Sequence, residues 1–164
     1  MEALTPGTPA PAFSLKDADG KRYALAEALK TGPVLLAFFK ISCPVCQFTF
    51  PFLERLHQEV KGQESLHVWG VSQNDASETR SFAREYNCTF PLLIDEAGYP
   101  VSNQFGLSYV PTLFLVKPDG QIQVSSVGFV RADIEAVAGE FSRRLGQPIR
   151  VFQAADNVPD FKPG

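Results

Sequence analysis

The hydrophobic pattern changes period several times along the chain. Phe13 and Leu15 alternate with polar neighbours, Asp17-Ala18-Asp19-Gly20-Lys21 carries turn residues, and Tyr23 and Leu25 alternate again, which predicts a small hairpin. Residues 24–30 predict a short helical turn, closed by Gly32-Pro33. The run Val34-Leu35-Leu36-Ala37-Phe38-Phe39 is apolar without alternation, the pattern of a strand covered on both faces. Pro44 suits the first position of a helix, where its missing N–H is no loss, and Phe50, Leu53, Leu56 and Val60 continue a helical stripe. Pro51 lies inside that stripe and cannot donate to the carbonyl of Gln47, which predicts a kink.

Further on, residues 66–71 read as a second buried strand. Asp75 with Glu78 forms a capping-box pattern that opens a helix to about Tyr86, and residues 90–94 read as a third buried strand. Gly98-Tyr99-Pro100 starts a short helix ending near Gly106. Residues 112–116 form an apolar strand, Lys117-Pro118-Asp119-Gly120 a tight turn, and Ile122, Val124 and Val127 the returning arm. A last helix carries Val130, Ile134, Val137, Ala138, Phe141 and Leu145 on one face, with Arg143 and Arg144 in its final turn and Gly146 and Pro148 as stops. Strands alternating with helices predict an α/β fold with a mixed, mainly parallel central sheet covered on both faces, plus an antiparallel edge from the Pro-Asp-Gly hairpin. Residues 1–11, rich in Pro, Gly and Thr, are an extended lead-in. Residues 1–146 form one domain, and residues 147–164, with three prolines and little periodicity, are a C-terminal extension that drapes over the surface or is loose.

Composition narrows the function. At 164 residues the chain holds one ordinary domain. A net charge of −3 with no basic block argues against nucleic-acid binding, and no apolar run approaches the ~18 residues of a membrane span. The first residues lack a basic region followed by an apolar one, which predicts a cytoplasmic protein if the chain is complete and a periplasmic one if a leader was removed. Three cysteines are too few for a disulfide scaffold.

Their placement carries the chemistry. Cys43-Pro44-Val45-Cys46 falls where a buried strand meets a helix. A helix N-terminus presents unpaired N–H groups and partial positive charge, so a thiolate is stabilised there. Cys43 at the cap is the exposed, attacking thiol, and Cys46, one turn later and shielded by the helix, is the resolving one. That is the geometry for disulfide exchange through a mixed disulfide. A zinc site needs more ligands at short spacing, whereas His57, His67 and Cys88 are scattered singly, so neither metal nor cofactor is expected. Cys88 reads as a small buried apolar residue, the sharper alternative being a third, regulatory thiol. His57 reads as surface, His67 as structural, and Asp95 and Glu96 as turn residues.

The run from Phe38 to Cys46, followed by Phe50-Pro51, resembles the active site of the thioredoxin fold, and Val110-Pro111-Thr112 resembles that family's cis-proline segment. The stretch 66–105, Phe90-Pro91-Leu92-Leu93-Ile94-Asp95, Pro118-Asp119-Gly120 and the lead-in from Gly7 to Leu15 resemble the TlpA-like, or redoxin, branch, a relative of the peroxiredoxins with an extra central β-α insertion. The resemblance covers about residues 7–146. It implies a redox-active Cys43–Cys46 disulfide, a substrate-docking surface made of Pro44, Val45, Val110 and Pro111, a role in redox homeostasis and antioxidant activity, and a monomer whose partners are protein disulfides and a redox partner protein.

Three positions depart from the family pattern. Ser42 stands where thioredoxins carry Trp, and Ala37 and Thr49 stand where relatives carry a carboxylate that helps move the proton of the second cysteine. That task passes to water, to Lys40 or to no dedicated group. A peroxidase is the competing enzyme class, but the peroxiredoxin pattern Pro-x-x-x-Thr-x-x-Cys is absent: counting back from Cys43 gives Lys40 and Leu36, and from Cys46 gives Cys43 and Phe39. A non-catalytic binding module is the third reading, and the intact cysteine pair argues against it.

Overall fold

The computed structural model describes residues 2–164; residue 1, where the predicted lead-in begins, lies outside them. A five-stranded sheet forms the centre. Its strands are β3 (Val34–Phe39), β4 (His67–Ser72), β5 (Leu92–Ile94), β6 (Thr112–Val116) and β7 (Ile122–Val127), in the spatial order β5-β4-β3-β6-β7. A separate hairpin of β1 (Ser14–Lys16) and β2 (Arg22–Ala24) precedes it and is tied to β5 by a bridge between Asp17 and Leu93. The helices are α1 (Leu25–Leu29), α2 (Pro44–Val60), α3 (Ala76–Tyr86), α4 (Pro100–Gln104) and α5 (Arg131–Leu145). Two short strands, β8 (Phe129–Val130) and β9 (Phe161–Lys162), pair with each other near the end of the chain.

All six residues of β3 are buried because the sheet has a packed layer on each side. Leu35, Ala37 and Phe39 face a core filled from α2, α3 and α5, with Phe50, Leu53, Phe82, Ile134 and Phe141. Val34, Leu36 and Phe38 face the opposite core, built from Leu25, Trp69, Phe105 and Phe114. Aromatic rings dominate both: Phe39 lies 4.4 Å from Phe50 and 4.8 Å from Phe82, and Phe38 lies 5.2 Å from Phe105. Such contacts add to the area term of burial and hold the strand that leads into the cysteine pair from both faces.

The strand pairing differs from the expected mainly parallel sheet. β3 pairs in parallel with β4, and β4 with β5, but β6 runs antiparallel to β3, and β7 antiparallel to β6. The alternation of strands and helices ends at α4, from which the chain enters the sheet in the reverse direction and returns through the Pro118-Asp119-Gly120 turn. The two kinds of pairing are therefore equal in number.

A second correction concerns Asp95, expected as a turn residue. It is 0% exposed. Its carboxylate accepts the N–H groups of Val101 and Ser102 at 3.1 and 2.7 Å and the Ser102 hydroxyl at 2.7 Å, so it satisfies the first turn of α4 from outside the helix. Replacing a fully hydrogen-bonded buried acceptor leaves those donors without partners. Asp95→Ala is expected to lower unfolding stability by about 2–4 kcal/mol in a urea titration, against less than about 0.5 kcal/mol for exposed Glu96→Ala.

Candidate active site

β3 ends at Phe39, and a four-residue link leads to α2, whose first residue is Pro44 and whose N-cap is Cys43. The Cys43 backbone is extended, at φ −83° and ψ 115°, and its N–H donates to the Lys40 carbonyl at 3.2 Å. In this position the Cys43 sulfur does what a capping oxygen usually does: the Cys46 N–H donates to Sγ at 3.1 Å. Pro44 leaves no N–H to satisfy at the first helical position. On its other side Sγ donates to the Val110 carbonyl at 3.4 Å.

The link itself is braced. The Ile41 N–H donates to Asn74 Oδ1 at 3.0 Å, and the Gln47 side-chain amide donates to the Ile41 carbonyl at 2.8 Å. Asn74 is held in turn by Ser72, whose Oγ accepts its N–H at 3.0 Å and lies 2.7 Å from Thr79 Oγ1. The loop that presents Cys43 is thus fixed from the end of β4 and from the start of α3. α2 continues unbroken through Pro51.

The two sulfurs differ in environment. Cys43 is half-buried, whereas Cys46 is 0% exposed. Burial in the core, and then its hydrogen bond to Cys43, push the Cys46 thiol well above the ordinary thiol range, while the Lys40 backbone N–H acts in the opposite direction. Thr49, where relatives carry a carboxylate, is also fully buried, and its hydroxyl donates to the Val45 carbonyl at 2.6 Å, so it is committed to the helix and not to Cys46. Ala37 contributes only a methyl group to the same core. Lys40 acts on the second sulfur through its backbone, while its side chain is exposed.

Val110-Pro111 precedes β6, and the peptide between them is cis. Pro111 is buried and Val110 half-buried. Of the residues singled out in the sequence, the structure brings Cys43, Cys46, Val110 and Pro111 to one place. Pro44 and Val45 form the adjacent first turn, Pro44 exposed and Val45 half-buried. A groove of about 210 Å³ borders Val110 and is lined by Lys40, Gln73, Tyr99, Asn103 and Tyr109. Pairing of Cys43 with Val110 was legible only through the family resemblance. The Asn74 and Gln47 braces had no signal in the sequence, since each is one polar side chain aimed at a backbone group.

The remaining candidates lie elsewhere. Cys88 is buried, and burial pushes its thiol up to about 12. His57, expected at the surface, is half-buried with its ring 5.9 Å from Phe90, and burial lowers its pKa. It sits on the flank of the α2 stripe, close enough to Phe90 to be covered. His67 exchanges a 2.7 Å hydrogen bond with Thr31. No group of three or more potential metal ligands occurs among the described residues.

A mixed sheet with a cysteine pair at the start of α2 and a cis-proline facing it defines a thioredoxin-fold protein. The chain belongs to the AhpC/TSA family, whose family model matches residues 6–125. It is 30% identical over 122 residues to the thiol-disulfide oxidoreductase ResA of Bacillus subtilis, a match covering 74% of this chain and 66% of ResA. It is 33% identical over 124 residues to the thioredoxin-like protein YneN of the same organism, covering 74% of this chain and 71% of YneN. The chain thus spans just under two thirds of ResA. Among solved structures, one described as a thiol:disulfide interchange protein DsbE from Chlorobium tepidum superposes with a TM-score of 0.75 at 26% identity, covering 88% of this chain and 100% of that one.

The thiol environments predict a labelling order. Burial favours the neutral thiol, so the Cys88 thiolate appears only as pH rises toward 12 and amounts to roughly one part in ten thousand at pH 8. Iodoacetamide at neutral pH is expected to modify Cys43 first, with Cys88 gaining label only in strong alkali. Peptide mapping by mass spectrometry checks this, and equal labelling of Cys43 and Cys88 at pH 7 contradicts it.

Proposed function

We propose that this chain is a thiol–disulfide oxidoreductase that exchanges the Cys43–Cys46 pair with protein disulfides. The observation that carries the reading is the asymmetry of the pair: Cys43 Sγ is half-open and held at the helix cap by the Cys46 N–H, while Cys46 lies fully buried one turn behind it.

In the reducing direction, the Cys43 thiolate attacks one sulfur of a substrate disulfide. A Cys43–substrate bond forms, the substrate disulfide breaks, and its other sulfur leaves as a thiolate. Cys46 then loses its proton to that departing thiolate and attacks Cys43 Sγ. The Cys43–Cys46 bond forms, and the substrate departs as a dithiol with two electrons gained. A dithiol partner protein returns the pair to its reduced state by the same steps in reverse. Before the first attack, burial and the neighbouring Cys43 hold the proton on Cys46.

Val110 and Pro111, with Pro44 and Val45, serve as the docking surface in this reading. An extended substrate segment lies beside Val110 as an added strand would, and main-chain hydrogen bonds hold it while its sulfur meets Cys43. The acting unit in this reading is a monomer. Among the described residues no helix is long and apolar enough to cross a membrane.

Reduction of insulin with dithiothreitol as donor tests the proposal. Cys43→Ser is expected to lower the rate by at least about a hundredfold, because the nucleophile is gone. Cys46→Ser is expected to accumulate a mixed disulfide at Cys43, visible as an intact-mass increment. Mild oxidation of the native protein is expected to yield a Cys43–Cys46 bridge with Cys88 free. Steady turnover of hydrogen peroxide far above disulfide reduction, or full function in a Cys43→Ser/Cys46→Ser variant, would overturn the reading.

A further inference from the structure

Three backbone segments converge at the open sulfur. Cys43 caps α2, the Val110 carbonyl lies 3.4 Å from its Sγ, and the Gly128 N–H donates to the Pro111 carbonyl at 2.7 Å. Gly128 has a φ of +79°, which disfavours any side chain, so the edge it forms is bare main chain. The space above that edge is filled by the far end of the same chain. A Cβ placed on Gly128 would come within 2.5 Å of the Lys162 carbonyl oxygen and 3.1 Å of the Gly164 nitrogen. A Cβ placed on Gly164 would come within 2.5 Å of the Val110 carbonyl oxygen. Lys162 and Gly164 therefore lie against Gly128, and Gly164 lies against the carbonyl that faces the Cys43 sulfur.

The extension is held unevenly. Its base is firm: Val151 and Phe152 are buried, Arg55 of α2 donates to the Val151 carbonyl at 3.1 Å, and the Arg55 guanidinium meets the Asp156 carboxylate at 2.7 and 3.0 Å. Its tip is light. Two residue pairs join β9 to β8, the Arg131 N–H donates to the Asp160 carbonyl at 2.9 Å, and Lys162 Nζ sits 4.7 Å from the centre of the Phe48 ring on α2. Phe161 is 56% exposed. A two-residue ladder with an exposed aromatic residue opens locally at far lower cost than the core.

From this geometry we propose that residues 160–164 are a strap across the docking groove that sets which disulfides reach Cys43. A polypeptide laid along Val110 and Gly128 must lift the strap, whereas a small disulfide reaches the sulfur from the side of the Lys40 and Tyr109 groove without displacing it. The strap thus biases the enzyme toward small or highly flexible disulfides, and Lys162 on Phe48 is its latch. This inference rests on the oxidoreductase reading and adds a specificity determinant to it.

The test compares kcat/KM for insulin with kcat/KM for hydroxyethyl disulfide in the wild-type chain and in Phe161→Gly/Lys162→Ala, which loosens the tip and leaves the base. The insulin-to-small-disulfide ratio is expected to rise about fivefold, roughly 1 kcal/mol at 1.36 kcal/mol per tenfold. A ratio within twofold of wild type, or a lower one, overturns the strap. A wild type inert on both disulfides is a different result and sinks the oxidoreductase reading itself. A measurement that leaves the strap unaltered guards against misfolding of the variant. In Cys46→Ser carrying a cysteine peptide on Cys43, amide exchange at Lys162 and Gly164 is expected to be at least about tenfold faster than in the same protein carrying mercaptoethanol, because the peptide holds the tip in its open state. Equal protection in the two adducts overturns the proposal.

Discussion

The candidate site is organised around one hydrogen bond, from the Cys46 N–H to the Cys43 sulfur. It exists because β3 stops at Phe39 and α2 starts at Pro44, which leaves Cys43 at the place where a helix offers unpaired donors. The same turn of helix produces the difference between the two thiols. Cys46 lies three residues on, so it stays beneath Cys43 and inside the core. Cap and burial are one geometric fact seen from two sulfurs, and the exchange chemistry needs both. An open thiol without a sheltered neighbour would be left in the mixed disulfide, and a sheltered pair with no open member would not be reached.

The precision of that arrangement comes from packing on both faces of β3 and from polar braces on the loop. Phe39 anchors the end of the strand between Phe50 of α2 and Phe82 of α3. Rings in such a core fix an element in place but do not orient a loop that leaves it. Orientation falls to directional bonds: Asn74 to the Ile41 N–H, Gln47 to its carbonyl, and Ser72 with Thr79 behind Asn74. This network links the capping box of α3 to the loop before Cys43. The carboxylates missing at Ala37 and Thr49 are not replaced by another charge. The Thr49 hydroxyl donates to a carbonyl of its own helix.

Local signals made most elements readable from the sequence. The unbroken apolar run of β3, the Asp75–Glu78 capping box and the stop at Gly146 each place an element boundary within a residue or two. The reading failed where the decision is made across space. The reversed direction of β6 is set by where α4 delivers the chain, and hydropathy carries no direction. Asp95 has the composition of a turn residue, and only the return of α4 against it makes it a buried cap. β8 and β9 are two residues each, too short for a period, and are strands only because they meet. The cysteine pair was legible because its chemistry is local. Its Val110 partner is 67 residues away along the chain and entered through resemblance alone.

The strap and a docked substrate answer to the same constraint. An edge that pairs with a polypeptide main chain must offer its own main chain, and Gly128 with its positive φ leaves its part of that edge without a side chain. Such a surface cannot distinguish a visiting strand from a strand of its own chain, since both offer the same amide groups. Whatever segment is tethered nearby therefore competes by effective concentration rather than by affinity. The firm base at Val151, Phe152 and Asp156 provides the tether, and the two-residue ladder at the tip keeps each contact weak. A tip bound more tightly would close the site, and a tip without its base would leave the groove open to any extended chain. In the proposed strap, the division between a rigid base and a light tip is what would keep the nucleophile reachable while selecting among disulfides.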